Sequence, residues 1–387
     1  MLLVCILVAS ICGTFGYRPW HVRHHIKRGT AINLNNGLID VVGSLPVAVD
    51  AWSVSNLDDS LNSSDLASSL FSASLLPYLA LLYFLSRKET NTPALGNFGF
   101  QFLLVFVTAT IPAGIIAKNE YHTILANVDF LHGSAESLLT ITNLLIIFGF
   151  RNAFTSSTAP SSTIQVTDTL YKITDILLVI IFGCIGSIVL GGVTTIEPMN
   201  ALSLPTWMVH TSSIFEWLIA MELIFNYANY TSNPRWKGMT IAMLLSQCSG
   251  LCACTFHLFY NSPSLNWLVN LQALTTVLGN SAMAFAAYRI NQYANTQPVA
   301  RSDGVIPPLT NTPEFVLSLT HKAFIGAFIV KYGELLLPTI FQYYTQHEGA
   351  NGVVNGVVLG LVTLPVLATF WKYSQENPTA NKRTVTE

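Results

Sequence analysis

The sequence has few charged residues. Its 387 residues include 18 Lys and Arg and 20 Asp and Glu, so 10% of the chain is charged, whereas a soluble globular protein carries about 25%. This composition excludes an ordinary cytosolic enzyme. Because the scarce charges are separated by long apolar runs, the sequence indicates a membrane protein.

Other features are also missing. The formal net charge is -2 and basic residues do not cluster with aromatic ones, so nucleic acid is not expected as a partner. Six cysteines make no disulfide framework. The sequence has no nucleophile elbow, phosphate-binding glycine loop, HExxH motif or carboxylate-rich diiron pattern. These absences favour a non-catalytic protein, and an enzyme of another class stays the alternative.

The N-terminal 45 residues are typical of a targeting leader. Residues 1–16 are apolar, too short to span a membrane comfortably and end in small residues, as a signal peptide does, although a basic start is missing. Residues 17–45 are basic and contain no acid before Asp40, which is typical of a transit peptide. A signal followed by a transit segment indicates the leader of a plastid protein of secondary endosymbiotic origin. The alternative is a plain signal peptide followed by a basic loop.

Long apolar windows predict the membrane spans, since a bilayer core of about 30 Å needs about 20 apolar residues in a helix. Eight windows meet this length: Leu66–Ser86, Phe98–Ala117, Phe130–Phe150, Ile176–Ile196, Trp207–Tyr227, Gly238–Phe259, Trp267–Tyr288 and Val353–Trp371. A ninth, Phe315–Leu337, contains four ionisable residues and is either a span with a polar seam or an interfacial helix. We count it as a span. The sequence thus predicts an all-α polytopic membrane protein of about eight or nine transmembrane helices.

Nine spans place the basic residues asymmetrically. Eleven Lys and Arg residues fall on one face, and Lys118 alone falls on the other. By the positive-inside rule, the C-terminal tail, residues 373–387, lies on the cytoplasm-like side. In a plastid this side is the stroma.

The spans predict two similar units. Residues 66–151 and 202–290 each contain three spans, and each ends with an aromatic residue followed by Arg, at Arg151 and Arg289. A linker helix at 173–197 gives both units the same orientation, which predicts a parallel repeat. A C-terminal helix pair covers 314–372. Any two three-helix hairpins look alike at this level, so chance similarity is the alternative.

Several motifs of the second unit are specific. They are Leu202-Ser-Leu-Pro-Thr-Trp-Met-Val-His-Thr-Ser-Ser-Ile-Phe-Glu-Trp217, Asn233-Pro-Arg-Trp-Lys-Gly-Met239, Cys252-Ala-Cys-Thr-Phe-His257 and Trp267-Leu-Val-Asn-Leu-Gln-Ala273. Together they resemble the hypothetical chloroplast reading frame forty-nine family of plants, algae and cyanobacteria, over about residues 200–290. The first unit, with Asn127-Val-Asp-Phe-Leu-His-Gly-Ser-Ala-Glu136, resembles a second uncharacterised family of the same lineages. The resemblance implies a photosynthetic lineage and a plastid membrane, either the thylakoid or the inner envelope, but no reaction.

Ionisable residues inside spans are costly and mark candidate functional sites. His132 and Glu136 begin the third span, His210 and Glu216 begin the fifth, and His257 ends the sixth. All these ends belong to the less basic face, so the sequence predicts one layer of imidazoles and carboxylates. We predict that these five residues bind a cofactor whose identity stays unknown. His210 and His257 are the best pair to bracket a haem or a chlorin, and hydrogen bonding at helix ends is the structural alternative. No Cys or His pair has the tight spacing of a metal site.

Three functions follow as hypotheses. The first is a non-catalytic factor that supports the assembly or stability of photosynthetic complexes, with their subunits as partners besides the lipid bilayer. The second is a membrane-embedded enzyme or cofactor protein acting on pigment, quinone or lipid. The third is a small-solute transporter, which rests on fold-level analogy.

Overall fold

Proline, glycine and asparagine turns divide the chain into helices. The computed structural model describes residues 61–155, 200–296, 312–334 and 350–375, and within these ranges it has nine α-helices and no strand. The helices are α1 Leu61–Ala73, α2 Leu75–Leu85, α3 Ala94–Tyr121, α4 Asp129–Thr155, α5 Leu204–Tyr230, α6 Trp236–Leu258, α7 Trp267–Thr296, α8 Thr312–Glu334 and α9 Ala350–Gln375. The predicted leader, the linker helix at 173–197 and most of the C-terminal tail lie outside the described residues.

Seven helical segments in the described ranges are long and apolar enough to cross a membrane. They are Leu66–Leu85, which joins α2 to most of α1, then α3, α4, α5 and α6, and finally Thr312–Gly333 of α8 and Gly352–Gln375 of α9. The predicted all-α polytopic membrane fold is therefore confirmed. Helix α7 is 30 residues long but less apolar, because Asn270, Gln272 and Asn280 interrupt its hydrophobic run. The count of eight or nine spans stays a prediction.

The first span is broken at Ser74, between α1 and α2. Pro77 has no backbone N–H to donate one turn back, and its ring crowds that turn. The side chain of Asn280 on α7 donates to the Ser74 carbonyl oxygen at 3.0 Å. The same oxygen accepts from the Tyr78 backbone N–H at 3.3 Å, so a polar residue of the second unit adds a hydrogen bond at the break in the first.

Glycine allows α3 and α4 to approach closely. A Cβ added to Gly149 of α4 would collide with the backbone of Gly96 on α3. A Cβ added to Gly99 of α3 would lie 2.7 Å from the backbone nitrogen of Ile146 on α4. Small residues at such crossings are the usual means of packing membrane helices.

The two units pack reciprocally. The first span of the first unit, α1 with α2, contacts α7, the third helix of the second unit. In the same way α4, the third helix of the first unit, contacts α5, the first helix of the second. This exchange is what two units of one orientation produce when an axis along the membrane normal relates them. Helices α8 and α9 pack outside this arrangement, on α5 and α6 respectively.

Aromatic side chains fill the core near the basic face. Trp236, at the start of α6, is fully buried. Its ring centroid lies 5.7 Å from that of Phe150 on α4 and 5.1 Å from that of Tyr227 on α5, both edge to face. Because this cluster joins both units, it fixes how they meet at the end opposite to the predicted histidine layer.

Candidate functional site

Three buried histidines meet where α4, α5 and α6 come together. The Nε2 atom of His132 on α4 lies 3.2 Å from Nε2 of His210 on α5 and 3.1 Å from Nε2 of His257 on α6. The ring centroids of His210 and His257 are 4.9 Å apart. All three side chains are buried, and they form the one group of three or more potential metal ligands found among the described residues.

The two units share this cluster. His132 comes from the first unit, whereas His210 and His257 come from the second. The sequence places all three at the same depth, and the structure brings them into contact. The sequence singled out His210 and His257 as a pair, but His132 is the histidine whose Nε2 atom lies within hydrogen-bonding distance of both others.

The start of α4 is held against the start of α5. The Asp129 carboxylate accepts a hydrogen bond from the Ser203 backbone N–H at 2.9 Å. One turn further along α4, a Cβ added to Gly133 would lie 2.5 Å from Oγ1 of Thr206. The absence of a side chain at Gly133 therefore lets the two helices approach at the level of His132 and His210.

The side chain of Asn261 orients His257. The Asn261 amide nitrogen donates to the Ala126 carbonyl oxygen at 3.0 Å and to Oδ1 of Asn127 at 2.8 Å. Its own Oδ1 atom must then accept, and it lies 2.9 Å from Nδ1 of His257. The proton of neutral His257 accordingly sits on Nδ1 and leaves Nε2 with a free lone pair directed at the cluster.

Sequence reasoning missed Asn261, which lies in the turn after α6. Its backbone has a φ of 55°, a left-handed conformation that Asn adopts more readily than most residues. The sequence feature that could have indicated Asn261 is its position four residues after His257, a histidine in a membrane helix. Its role depends on the loop before α4, which is far away in sequence, so the local pattern could not show it.

The arrangement suits the coordination of a metal ion. A tetrahedral ion with metal–nitrogen distances of about 2.0–2.1 Å separates its ligand nitrogens by about 3.3 Å. Two of the three Nε2 separations, 3.1 and 3.2 Å, are close to this value, and all three ligand atoms lie within 4.8 Å of one another. The carbonyl-type acceptor on Nδ1 of His257 is the partner that a metal-bound imidazole usually has.

The two predicted carboxylates do not join the histidine cluster. Glu136 follows His132 by one turn on α4 and is half-buried, and no hydrogen-bond partner for it is found in the described part of the chain. Glu216 is 1% exposed and lies deeper, where its Oε1 atom accepts from Ser212 at 2.9 Å. Its Oε2 atom is buried without a hydrogen-bond partner among the described residues.

A seam of polar side chains continues from the histidines along the α4–α5 interface. Oγ1 of Thr140 lies 3.2 Å from Oγ of Ser213, and the amide nitrogen of Asn143 donates to the Ser213 carbonyl oxygen at 3.4 Å. Asn143 also contacts Glu216. These contacts join the helices, which is the commonest use of such residues in a membrane.

Two other polar residues of the membrane helices have partners remote in sequence. Lys331 on α8 is buried, and its Nζ atom donates to the Leu202 carbonyl oxygen at 2.6 Å. Glu222 accepts from the amide of Asn226 at 3.0 Å and also pairs with Lys372 of α9 at 2.5 Å.

These features define a polytopic α-helical membrane protein with a buried histidine cluster between two three-helix units. Two families match the chain: "Protein of unknown function (DUF3593)" over residues 67–155 and "Protein of unknown function (DUF2499)" over residues 201–289. The chain belongs to the Ycf49-like family. A "Ycf49-like protein" of Synechocystis sp. is 47% identical over 102 residues, 26% of this chain and 97% of the relative. An "Uncharacterized protein ycf49" of Cyanophora paradoxa is 39% identical over 88 residues, 23% of this chain and 86% of the relative.

The comparisons confirm the resemblance found in the sequence, including the fusion of two uncharacterised families in one chain. His132 lies within the first family match, and His210 and His257 lie within the second. Completion of the cluster therefore requires both families' segments. No solved structure matches the chain.

Proposed function

We propose that this protein is a metal-binding, non-catalytic factor of a photosynthetic membrane. His132, His210 and His257 hold one divalent transition-metal ion such as Zn²⁺, and the ion clamps the two three-helix units together. The observation that carries the proposal is the meeting of three buried Nε2 atoms, from three helices, at ligand-like distances.

Hydrogen bonding alone is a poor account of this cluster. A neutral imidazole has one N–H and one lone pair. Asn261 fixes the N–H of His257 on Nδ1, so at Nε2 this residue can only accept. If Nε2 of His132 carries a proton, it can direct this proton at only one of its two neighbours, and if it carries none, its lone pair repels that of His257. A cation between the three atoms removes that repulsion.

A metal ion fits better than the haem or chlorin that the sequence suggested. Two imidazoles that bracket a flat macrocycle have nitrogens about 4 Å apart on opposite sides of the metal. His132 approaches both of its neighbours to 3.1–3.2 Å and occupies the space where a ring would lie. The haem or chlorin hypothesis predicts an absorption band that His210→Ala abolishes, and the metal proposal predicts a colourless protein.

Metal content tests the binding proposal. The full chain is purified in mild detergent, loaded with Zn²⁺, dialysed and measured by inductively coupled plasma mass spectrometry. We expect one ion in the parent protein and loss of this ion in His132→Ala, His210→Ala and His257→Ala. The control is His321→Ala, because His321 is an exposed histidine on α8 that is not part of the cluster. Equal metal content in all the variants would overturn the proposal.

In the cell, we propose that the protein supports the assembly or stability of photosynthetic complexes in the thylakoid or the inner envelope. The composition of residues 1–45 and the family's occurrence in Synechocystis and Cyanophora support this role. The distribution of basic residues supports a stromal C-terminus. Co-purification of photosystem or cytochrome subunits with the tagged protein is the expected result, and migration alone in mild detergent argues against it. Protease accessibility of a C-terminal tag in isolated plastids tests the orientation.

A transporter is the second candidate, and the reciprocal packing of the two units favours it. Parallel repeats related by an axis along the membrane normal recur in transporters, which bind their substrates between the repeats. The polar seam at the α4–α5 interface lies between the units. Uptake assays in proteoliposomes test the transporter candidate. A protein that binds Zn²⁺ but moves neither metal ions nor small solutes is not a transporter of these substrates.

A further inference from the structure

The turn between α5 and α6 is held in a fixed position. It carries the motif Asn233-Pro-Arg-Trp-Lys-Gly-Met239. The side chain of Asn233 donates to the Ile290 carbonyl oxygen on α7 at 3.1 Å and accepts from the Arg235 backbone N–H at 3.1 Å. Trp236 inserts into the aromatic core. Because Asn233 and Trp236 anchor the turn, Arg235 and Lys237, on either side of Trp236, are directed away from the core.

A cavity of about 770 Å³ opens beside this turn, between α6 and α7. Its size is within the range of small-molecule sites, about 300–1,000 Å³. The residues that matter for its chemistry are Arg235, Lys237, Ile241, Leu245, Phe285 and Arg289. The cavity lies at the start of α6, so it is separated from His257 by the length of that helix.

Part of the cavity lining is positively charged. Arg235, Lys237 and Arg289 all line it, and none of its lining residues is acidic. Two of the cations rest on aromatic rings: Nζ of Lys237 is 4.8 Å from the Phe225 centroid, and the Arg289 guanidinium carbon is 5.8 Å from that of Phe285. Like charges held on a fixed backbone repel one another, so an anion placed among them is stabilised.

Another part of the cavity lining is apolar. Ile241 and Leu245 line it from α6, and Ala282 and Phe285 line it from α7. Arg235 and Leu245 are ten residues apart, which corresponds to about 15 Å along a helix. A free inorganic anion gains nothing from apolar lining residues. A lipid, in contrast, can place its headgroup among the cations and an acyl chain along the apolar side chains.

We infer that this cavity binds an anionic membrane lipid, with its phosphate or sulfonate headgroup between Arg235, Lys237 and Arg289. Basic pockets between helices on the cytoplasm-like side of a membrane suit such headgroups. The site is independent of the proposed metal site, because it uses other residues at the opposite end of α6.

The test compares lipids and two kinds of variant. The full chain is reconstituted in nanodiscs of phosphatidylcholine alone or with phosphatidylglycerol, and lipid retained after detergent extraction is measured by mass spectrometry together with the thermal midpoint. We expect retained phosphatidylglycerol and a raised midpoint for the parent protein. Both effects should be lost when Arg235, Lys237 and Arg289 are all changed to Gln, and kept in Lys88→Gln, an exposed cation outside the cavity.

A glycine pair separates steric blocking from loss of charge. Gly238 lines the cavity, and a Cβ added there meets nothing within 4 Å; the same is true of Gly250 on the same helix, outside the cavity. Gly238→Leu should therefore narrow the cavity beside the basic residues and weaken lipid binding without disturbing the fold, whereas Gly250→Leu should keep lipid. Undiminished retention of phosphatidylglycerol by the triple variant or by Gly238→Leu would overturn the proposal. Equal stabilisation of the detergent-solubilised protein by inorganic phosphate would also overturn it, since it would indicate a simple anion site.

Discussion

The Nε2 atoms of His132 and His257 lie 3.1 Å apart although 125 positions separate the two residues in the chain. His132 begins α4 and His257 ends α6, so the two family segments meet at this contact. Substitution of either histidine therefore tests both metal binding and the packing of the two segments against each other.

Asn261 should control the affinity of the metal site without binding the ion. Asn261→Ala removes the acceptor that fixes the proton of His257 on Nδ1, and loss of such a partner usually lowers metal affinity by about 10–100-fold. Competition with a fluorescent zinc chelator measures this change. Ser264→Ala in the same turn is the control, and an unchanged affinity in Asn261→Ala would refute the positioning role.

Metal binding should weaken as the pH falls. A protonated imidazole has no lone pair for a metal, so each histidine must lose its extra proton before it can act as a ligand. Zn²⁺ occupancy, measured after equilibrium dialysis in buffers of decreasing pH, should therefore be lowest at the acidic end of the series. His321→Ala should follow the same curve. Occupancy that rises with acidity would exclude a site made of imidazoles.

Gly149→Ala should destabilise the protein. The added methyl group would collide with the Gly96 backbone, and overpacking of a close contact costs about 1–3 kcal/mol of the free energy of unfolding. The matched control is Gly250→Ala, where the methyl group meets nothing within 4 Å and helix propensity favours Ala by about 1 kcal/mol. Thermal unfolding in detergent should separate the two variants, with Gly149→Ala below the parent protein and Gly250→Ala at or above it.

The ion pair between Glu222 and Lys372 should contribute modestly to the attachment of α9. Both side chains are part-exposed, at 39% and 51%, and exposed pairs couple by about 0.2–1 kcal/mol. A double-mutant cycle with Glu222→Gln and Lys372→Met measures this energy from the unfolding free energies. Glu222→Gln also replaces the charged acceptor of the Tyr373 hydroxyl, 3.2 Å away, by a neutral and weaker one, so it should cost more than Lys372→Met. The opposite order would contradict this assignment.

The sequence predicted helices better than it predicted contacts. Apolar runs of about 20 residues are a local property, so the spans of α3 to α6 could be placed within a few residues. Depth is also local, which is why His132, His210 and His257 were assigned to one layer. Which helix faces another depends on close approaches such as Gly133 against Thr206, and one sequence alone does not show these pairings.

The same distinction applies to polar partners. Asn226 is one turn from Glu222 on the same helix, so helix periodicity places them side by side, whereas Lys372 is 150 positions away and no local pattern links it to Glu222. Asn261 was missed for the same reason, because its role depends on Ala126 and Asn127 in a remote loop. Glu136 and Glu216 were grouped with the histidines on depth, but the structure leaves both outside that cluster.

The order of the three histidines along the chain also sets a time for assembly. A ribosome adds about 5–20 residues each second, so His257 is synthesised about 6–25 seconds after His132, from which 125 positions separate it. During that interval the first unit has one ligand and no second unit to pack against. Metal capture can follow only when the second unit has begun to fold beside it, so a bound ion would report that the protein is complete.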